Sequence, residues 1–445
     1  MTPGARTQAA IELLAAILSS VRPADGTASA YFRERRYIGA KDRRAVAERV
    51  WGALRRRARL SWWVSHAVAR ALNERGGRPP DARRMILADL VLSDGWTIER
   101  LVRLTEDNHG PAGLSQDDRD VLATMLGQSL DHSSMPRAVR GEYPEWLEPA
   151  LRRRFGEDME RELAALTTAA PLDLRVNTLK ATREEAKDAL VALGLNVVET
   201  PLSPLGLRLG TRVDLAAQEV FRDGRVEVQD EGSQVVALLT GARPGQAVVD
   251  YCAGAGGKTL ALAAAMGNRG RLVALDVSVG RIDRSAVRLK RAGVHNVTRR
   301  VLEGDNDRWL KRAAGQYDRV LVDVPCTGTG TWRRNPDARW RLDPADVAEL
   351  VERQARILAA AARLVKPGGR LVYATCSILH EENEDQIRRF LDDRPDFHPL
   401  PLAEAWSDAV GAPWPGADGD ALTLSPARNG TDGYFAAVLA RDGSQ

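Results

Sequence analysis

The fold of this chain is decided by residues 250–259, which read D-Y-C-A-G-A-G-G-K-T. A short apolar run at 247–249 precedes this stretch, and residues 258–266 after it favour helix by intrinsic propensity. Three glycines lie between them (Gly254, Gly256 and Gly257). Because glycine has no Cβ, backbone amides there can come close to a ligand at the beginning of a helix. The pattern predicts a strand, a tight glycine turn and a helix.

Two nucleotide-binding motifs come close to this stretch, but neither fits its spacing. A phosphate-binding P-loop, G-x-x-x-x-G-K-[ST], needs a glycine where the chain has Cys252. A dinucleotide fingerprint, G-x-G-x-x-G, beginning at Gly254 needs a glycine where the chain has Thr259. The sequence therefore favours a different adenosine ligand in the same kind of crevice, with a ligand-free turn as the alternative.

The next predicted strand supports the adenosine ligand. Residues 271–275 are mostly apolar and end in Asp276, which lies 22 residues after Gly254. A carboxylate at the end of the second strand is well placed to accept hydrogen bonds from two ribose hydroxyls.

The composition excludes several classes of protein. With 445 residues, 44% of them hydrophobic, the chain is long enough for two or three domains with apolar cores. It has no run of 18 apolar residues and no compact apolar leader, so we expect a soluble, cytoplasmic protein without a membrane partner. Three cysteines do not make a disulfide framework, and six scattered histidines have no metal-ligand spacing. No metal is expected.

Basic residues are concentrated near the N-terminus. Residues 33–59 contain 11 lysines and arginines against three acidic residues. Such a patch is expected for a polyanion partner, and the run Arg55, Arg56 and Arg57 is its densest part. The alternative is a solvated, arginine-rich helix face.

The hydrophobic patterns divide the chain into three predicted domains. Residues 1–140 are predicted to be all-helical, with amphipathic segments at 9–18, 44–54 and 81–90. Residues 141–225 are predicted to form a linker and a small α/β subdomain, with a helix at 146–166. From 226 to 445, apolar strands alternate with helices, which predicts an α/β fold with a doubly wound, mostly parallel sheet. One helix is predicted at 345–364 and the strand after it at 370–374.

Polar residues and cysteines follow the predicted strands of that sheet. They are Asp276, Asp305, Asp323, Cys326 and Cys376. Ligands of doubly wound sheets bind outside the carboxyl ends of the strands. We therefore expect these side chains to lie around one site.

Two cysteines without histidine partners suggest chemistry other than that of a cysteine protease. Thiolate is the reactive form, and Lys258 would favour it if it lies nearby. A thiolate can add to carbon 6 of cytosine, which makes carbon 5 nucleophilic enough to accept a methyl group. Asp323 could supply the proton that nitrogen 3 requires. The residues alone do not choose between Cys326 and Cys376, and both could instead be small buried hydrophobes.

Ordered motifs run through the second half of the chain. They are V-Q-D-E-G-S-Q at 228–234, the glycine stretch, Asp276 with Arg281, G-D at 304–305, D-V-P-C at 323–326, A-T-C-S at 374–377 and D-G-Y-F at 432–435. Over residues 140–445 the chain resembles the RsmB/NOP/Sun family of RNA 5-methylcytosine methyltransferases. The helical front part, with D-R-R at 42–44, resembles NusB-type RNA-binding domains, as in the RsmB branch. The family usually has C-A-A-P-G-G-K where this chain has C-A-G-A-G-G-K, and we expect the turn to survive because every change is to a small residue.

The resemblance implies the roles of individual residues. Cys376 would be the nucleophile, Cys326 would assist release of the methylated RNA, and Asp323 would hold the cytosine. Lys258 is expected in the same catalytic group on the separate ground that its cation would favour the thiolate. The S-adenosylmethionine site would be lined by Cys252, Ala253, Gly254, Ala255, Gly256, Gly257, Lys258, Asp276, Arg281, Asp305 and Asp323. The expected enzyme is a monomer that acts on small-subunit (16S) ribosomal RNA. The alternatives are a transfer-RNA cytosine-5 methyltransferase and a non-catalytic RNA-binding or assembly factor on a methyltransferase scaffold.

Overall fold

The computed structural model describes residues 1–72, 81–211, 213–417 and 419–443, and these form two compact units. The helical unit contains Met1–Thr168 together with Trp332–Leu342. The sheet unit contains Ala169–Thr331 and Asp343–Gln445. The domain boundaries near residues 140 and 225 stay a prediction. In the described part of the chain, no helix is long and apolar enough to cross a membrane.

The helical unit is built from amphipathic helices, and those of its first 140 residues share one apolar core, as the sequence predicts. Leu13, Leu14 and Ile17 lie on one face of the first helix and are buried in that core. Local signals mark several helix ends, such as the Asp81 side chain, which accepts a hydrogen bond from the amide of Arg84. The helices are α1 (Pro3–Ser19), α2 (Ala24–Glu34), α3 (Ala40–Arg55), α4 (Arg57–Leu72), α5 (Ala82–Leu92), α6 (Ile98–Glu106), α7 (Gln116–Ala123), α8 (Arg137–Arg140), α9 (Glu148–Phe155) and α10 (Met159–Leu166).

The predicted helix at 146–166 is wrong as a single element. Gly156 has a φ of +54° and ends α9, and α10 begins three residues later. A positive φ is readily adopted by glycine but is incompatible with a continuous right-handed helix. The apolar pattern continues across the break because Leu151, Phe155 and Leu163 are all buried.

One segment of the helical unit comes from far along the chain. Residues 332–342, which we call the returning segment, follow the D-V-P-C motif in sequence and pack in the helical unit. Arg339 is completely buried and donates hydrogen bonds to the carbonyl oxygens of Glu142 (2.7 Å) and Leu166 (3.1 Å). Its guanidinium also lies 4.8 Å from the centre of the Trp332 ring. A buried arginine therefore anchors the returning segment.

The arginines at 55–57 contact other residues of the helical unit, including the returning segment. Arg55 is 8% exposed and donates twice to the carbonyl oxygen of Arg333, at 3.2 and 3.1 Å. Arg56 pairs with the buried Asp89 at 2.8 Å, and the guanidinium of Arg57 lies over the ring of Trp340. All three guanidinium groups therefore have partners within the helical unit, and contact of this run with RNA stays a prediction.

The sheet unit begins with a four-stranded antiparallel sheet in the order β2-β3-β1-β4. Leu174, Val176, Leu207 and Leu209 are buried in its core. Its strands are β1 (Leu172–Val176), β2 (Val197–Glu199), β3 (Gly206–Leu209) and β4 (Val226–Val228), and its helices are α11 (Arg183–Val191) and α12 (Glu219–Arg222). The small α/β subdomain is thus present as predicted in its element types.

The second sheet is mostly parallel, which confirms the predicted fold class. Its strands are β5 (Ala247–Asp250), β6 (Arg271–Asp276), β7 (Val297–Val301), β8 (Tyr317–Asp323), β9 (Val365–Thr375), β10 (Phe397–Pro399), β11 (Ala421–Leu424) and β12 (Tyr434–Arg441). The order is β10-β12-β9-β8-β5-β6-β7, with β11 beside β12. Strands β5 to β9 run parallel, whereas β12 is antiparallel to β9.

Helices separate the strands of this sheet and cover its apolar faces. They are α13 (Glu231–Leu239), α14 (Gly257–Ala265), α15 (Val279–Ala292), α16 (Arg308–Arg312), α17 (Pro344–Ala362), α18 (Glu384–Asp393), α19 (Leu402–Val410) and α20 (Pro426–Asn429). Strand β9 begins at Val365 rather than at the predicted residue 370. Val365 pairs with Tyr317 and Arg370 pairs with Arg319, so the register of the two strands shifts between these pairs. The regular part of the strand therefore begins at Arg370.

Candidate active site

The glycine turn lies between β5 and α14, as predicted. Gly254 and Gly256 have φ angles of +54° and +83°, in the left-handed region that glycine adopts without strain. A Cβ on Gly256 would lie 3.0 Å from the Cβ of Ser285, so this position also needs a small residue. Buried Arg175 donates to the carbonyl oxygen of Gly257 at 2.9 Å. The turn forms with Ala255 at the position that is proline in the family motif.

Asp276 is 5% exposed at the end of β6. Its carboxylate oxygens accept hydrogen bonds from the amides of Gly254 (2.9 Å) and Ser278 (2.8 Å). Each carboxylate oxygen has a second lone pair, so both remain able to accept from a ligand hydroxyl. Asp276 thus ties the glycine turn to the next strand.

A cavity of about 420 Å³ opens at the carboxyl ends of these strands. This size suits a nucleoside cofactor. The predicted site residues that line it are Cys252, Ala253, Gly254, Ala255, Asp276, Arg281, Asp305, Asp323, Cys326 and Cys376. Gly256, Gly257 and Lys258 do not line it; Gly257 and Lys258 lie in α14, and Gly256 is the residue just before this helix.

Sequence reasoning missed other residues of the cavity wall. They are Tyr251, Val277, Arg284, Leu302, Val324, Pro325, Arg353 and Ile357. Arg353 and Ile357 lie four residues apart on α17, whose pattern indicated only an amphipathic helix. Tyr251 is 3% exposed, and its hydroxyl has no hydrogen-bond partner among the described residues.

Lys258 and Asp323 form an ion pair beside the cavity. Lys258 Nζ lies 2.6 Å from Asp323 Oδ2, and the lysine side chain is 9% exposed against 30% for the aspartate. Burial lowers the pKa of Lys258, but the charge and hydrogen bond of Asp323, followed by the charges of Asp250 and Cys376, raise it above its ordinary value. The lysine therefore stays an ammonium ion at neutral pH. Such a cation favours the thiolate form of a cysteine near it.

The two cysteines from different strand ends meet at the same cavity. Cys326 Sγ and Cys376 Sγ are 3.4 Å apart. They come close because Asp323 of β8 pairs with Ala374 of β9, and each cysteine follows the end of its strand within three residues. The hydrogen bond with Cys376, burial, and the charges of Cys376 and Glu382 raise the pKa of Cys326 well above its ordinary value. Cys326 is thus a protonated thiol at neutral pH, within hydrogen-bond distance of the Cys376 sulfur.

The third cysteine is chemically different. Burial raises the pKa of Cys252, and the nearby carboxylates of Asp323, Asp276 and Asp250 raise it further. Such a thiol is a poor nucleophile at neutral pH. In the described part of the chain, no group of three or more histidines, cysteines or carboxylates is arranged to hold a metal ion.

Two models of known protein families match parts of the chain. A family model described as 16S rRNA methyltransferase RsmB/F matches residues 237–440. A second model, the ferredoxin-like domain of RsmF/B-like methyltransferases, matches residues 143–216.

Curated and solved relatives cover most of the chain. "Probable ribosomal RNA small subunit methyltransferase B" of Synechocystis sp. is 34% identical, with 91% of this chain and 92% of the relative covered. Ribosomal RNA small subunit methyltransferase B of Salmonella paratyphi B is 31% identical, with 81% and 84% covered. The crystal structure of PH0851 is 27% identical with a TM-score of 0.78, and 99% of both chains is covered.

Proposed function

Because the chain belongs to the RsmB/F family of 16S rRNA methyltransferases, we propose that it methylates carbon 5 of a cytosine in small-subunit ribosomal RNA. It is an S-adenosylmethionine-dependent methyltransferase, as its family is. The observation that carries the proposal is the pair of thiols, Cys326 and Cys376, 3.4 Å apart at the rim of a nucleoside-sized cavity.

The cavity fits the cofactor in size and chemistry. Asp276 offers two acceptor oxygens for ribose hydroxyls, and Leu302 and Ile357 add apolar wall for a base. We assign the cofactor site to the predicted residues that line the cavity, which are Cys252, Ala253, Gly254, Ala255, Asp276, Arg281, Asp305 and Asp323. When bound, S-adenosylmethionine supplies the electrophilic methyl group.

Cys376 attacks the cytosine in this proposal. Its thiolate forms a bond to carbon 6, and the electron pair of the carbon 5–carbon 6 double bond becomes available at carbon 5. Asp323 contacts the base, and the proton shared with Lys258 is passed to nitrogen 3. Carbon 5 then takes the methyl group, which leaves one proton to remove. Lys258 stabilises the thiolate before attack, since its ammonium group interacts electrostatically with Cys376.

Cys326 completes the reaction as the base. Before attack, its pKa is raised first of all by the hydrogen bond with Cys376. Once the Cys376 sulfur is bonded to carbon 6 it no longer carries a negative charge, so Cys326 gives its own proton to solvent more easily and becomes a thiolate. The Cys326 thiolate removes the carbon 5 proton, the double bond re-forms, and Cys376 leaves as a thiolate while nitrogen 3 returns its proton to Asp323.

Single cysteine variants test the two roles. Purified Cys326→Ala enzyme still attacks and methylates but cannot release, so a denaturing gel should show a protein–RNA band. Cys376→Ala and the double variant should show no band and no product, because removing the nucleophile prevents formation of the intermediate. A band with Cys376→Ala instead would reverse the roles. Thermal melting of each variant checks that folding is retained.

The substrate is tested separately with labelled cofactor. Small-subunit ribosomal RNA should take up label at carbon 5 of a cytosine, and mapping of methylated cytosines with and without the gene should identify the position. Label in transfer RNA alone would make the chain a transfer-RNA enzyme. Binding of RNA without any label would indicate a non-catalytic scaffold.

A further inference from the structure

A buried carboxylate lies directly behind the Cys326 loop. Glu382 is completely buried and accepts hydrogen bonds from the Thr327 amide (2.9 Å), the Thr327 hydroxyl (2.5 Å) and Gln354 Nε2 (2.8 Å). In the described part of the chain, no lysine or arginine pairs with it. Burying a charge without a cation is costly, so three donors at this position indicate a use for the charge.

The hydrogen bonds of this carboxylate bracket one residue. Gln354 is also completely buried and donates to the carbonyl oxygen of Pro325 at 3.0 Å, while Glu382 accepts from the amide of Thr327. Pro325 and Thr327 are the two neighbours of Cys326. The peptide groups on both sides of the thiol are therefore held by one buried pair.

The same threonine extends the network toward the other thiol. Thr327 Oγ1 lies 3.3 Å from the hydroxyl of Ser377, the residue after Cys376, and Gly330 donates its amide to the carbonyl oxygen of Cys376 at 2.9 Å. The distance between the two sulfurs thus depends on how Thr327 is held.

We propose that Glu382 is a positioning residue for the release step, because through Thr327 and Gln354 it holds Cys326 beside Cys376. Its loss slows removal of the carbon 5 proton and leaves attack by Cys376 intact. This inference rests on the proposed function for its RNA readout, but the hold on Cys326 is measurable without RNA.

The RNA experiment uses the full chain with S-adenosylmethionine and small-subunit ribosomal RNA. Glu382→Gln should release product about tenfold more slowly, the size expected for losing a hydrogen bond to a charged group, and should accumulate the protein–RNA band. Thr327→Val removes only the hydroxyl donor and should show the same change more weakly, whereas Thr327→Ser should behave as the parent. Glu384→Gln, whose carboxylate pairs with His380 at 3.2 Å, is the matched control and should release normally.

The second experiment measures alkylation of Cys326 against pH. With Cys252→Ala and Cys376→Ala in place, Cys326 is the single remaining cysteine of the chain. Besides Cys376, the titratable groups that interact with Cys326 are Glu382 and the hydroxyl of Tyr373. Removing the charge of Glu382 should move the alkylation midpoint to lower pH and speed labelling, and Glu384→Gln should not.

The two experiments separate the possible failures. If Glu382→Gln forms no band and releases product at the parental rate, with an unchanged alkylation midpoint, the inference is overturned. If a folded Glu382→Gln loses both band and product, Glu382 is needed for attack and the inference is also wrong. If Cys326→Ala itself traps no RNA, the proposed function fails. The inference about Glu382 then stands only if Glu382→Gln lowers the alkylation midpoint of Cys326. If Glu382→Gln does not fold, Thr327→Val decides.

Discussion

Two buried cations in different units of this protein have different consequences. Arg339 of the helical unit is completely buried, and burial lowers its pKa to about 10. It donates to backbone carbonyl oxygens, which accept hydrogen bonds but do not exchange protons. Lys258 of the sheet unit is buried almost as deeply, but its partner Asp323 is 30% exposed at a cavity. Burial of a charge therefore does not mark a functional site, whereas the chemistry and access of its partner do.

The comparison predicts that Lys258→Met loses activity much more than stability. Without the ammonium group, both the Cys376 thiolate and the proton for nitrogen 3 lose their support. We expect methyl transfer to fall about 10²–10³-fold, as for other charged contacts in active sites. Thermal unfolding should change little because Asp323 can be hydrated. Lys187→Met, at an exposed lysine paired with Glu199, is the control in the same unit. Retained activity in Lys258→Met would show that Lys258, like Arg339, has no catalytic role.

Arg339→Met should have the opposite effect. Two buried carbonyl oxygens lose their donor and the Trp332 ring loses its cation, so the free energy of unfolding of the helical unit should fall by about 2–4 kcal/mol. Denaturant unfolding of the full chain measures this loss. Arg44→Met, at an exposed position on α3, should change it by less than about 0.5 kcal/mol. Equal stability of the two variants would mean that the returning segment is held by other contacts.

Asp276→Ala tests a buried anion at the same cavity as Lys258. Two ribose hydroxyls lose their acceptor, and each hydrogen bond to a charged group contributes roughly 1.5–3 kcal/mol. Calorimetry should show S-adenosylmethionine binding at least about tenfold weaker. Asp283→Ala, at an exposed position on α15, should bind the cofactor normally. Unchanged affinity of Asp276→Ala would remove the assignment to the ribose.

The smallest effect is expected from the arginines that do reach solvent. Within the basic segment 33–59, Arg36 and Arg44 are exposed, whereas Arg56 pairs with Asp89. Arg36→Gln with Arg44→Gln should flatten the salt dependence of RNA binding by about 0.7 per lost phosphate contact and weaken binding only a few-fold. Arg56→Gln should leave the slope unchanged. If Arg56→Gln changes the salt dependence of RNA binding as much as the double variant at Arg36 and Arg44 does, internal pairing does not determine which arginines bind RNA.

Much of the sheet unit could be predicted because its signals are local. Strands β5 and β6 are short apolar runs, and the turn after β5 needs the left-handed φ of Gly254 and Gly256. The carboxyl ends of parallel strands share one edge, so the sequence alone predicts Asp276 and Asp323 at one site. These features depend on neighbouring residues and on a general rule of sheet geometry.

The chain by itself thus determines most element types, the fold class and the residues of the cavity that belong to strand-end motifs, such as Asp276, Asp323 and Cys376. Only the tertiary structure decides that two cysteines 50 residues apart lie 3.4 Å from each other, that the Glu382 carboxylate accepts from the amide of Thr327, and that Arg55 is buried against the carbonyl oxygen of Arg333. The physical reason is the range of the interactions. Periodicity and turn chemistry act over a few residues, whereas the partners of a buried charge are set by strand register and by segments that return from far along the chain.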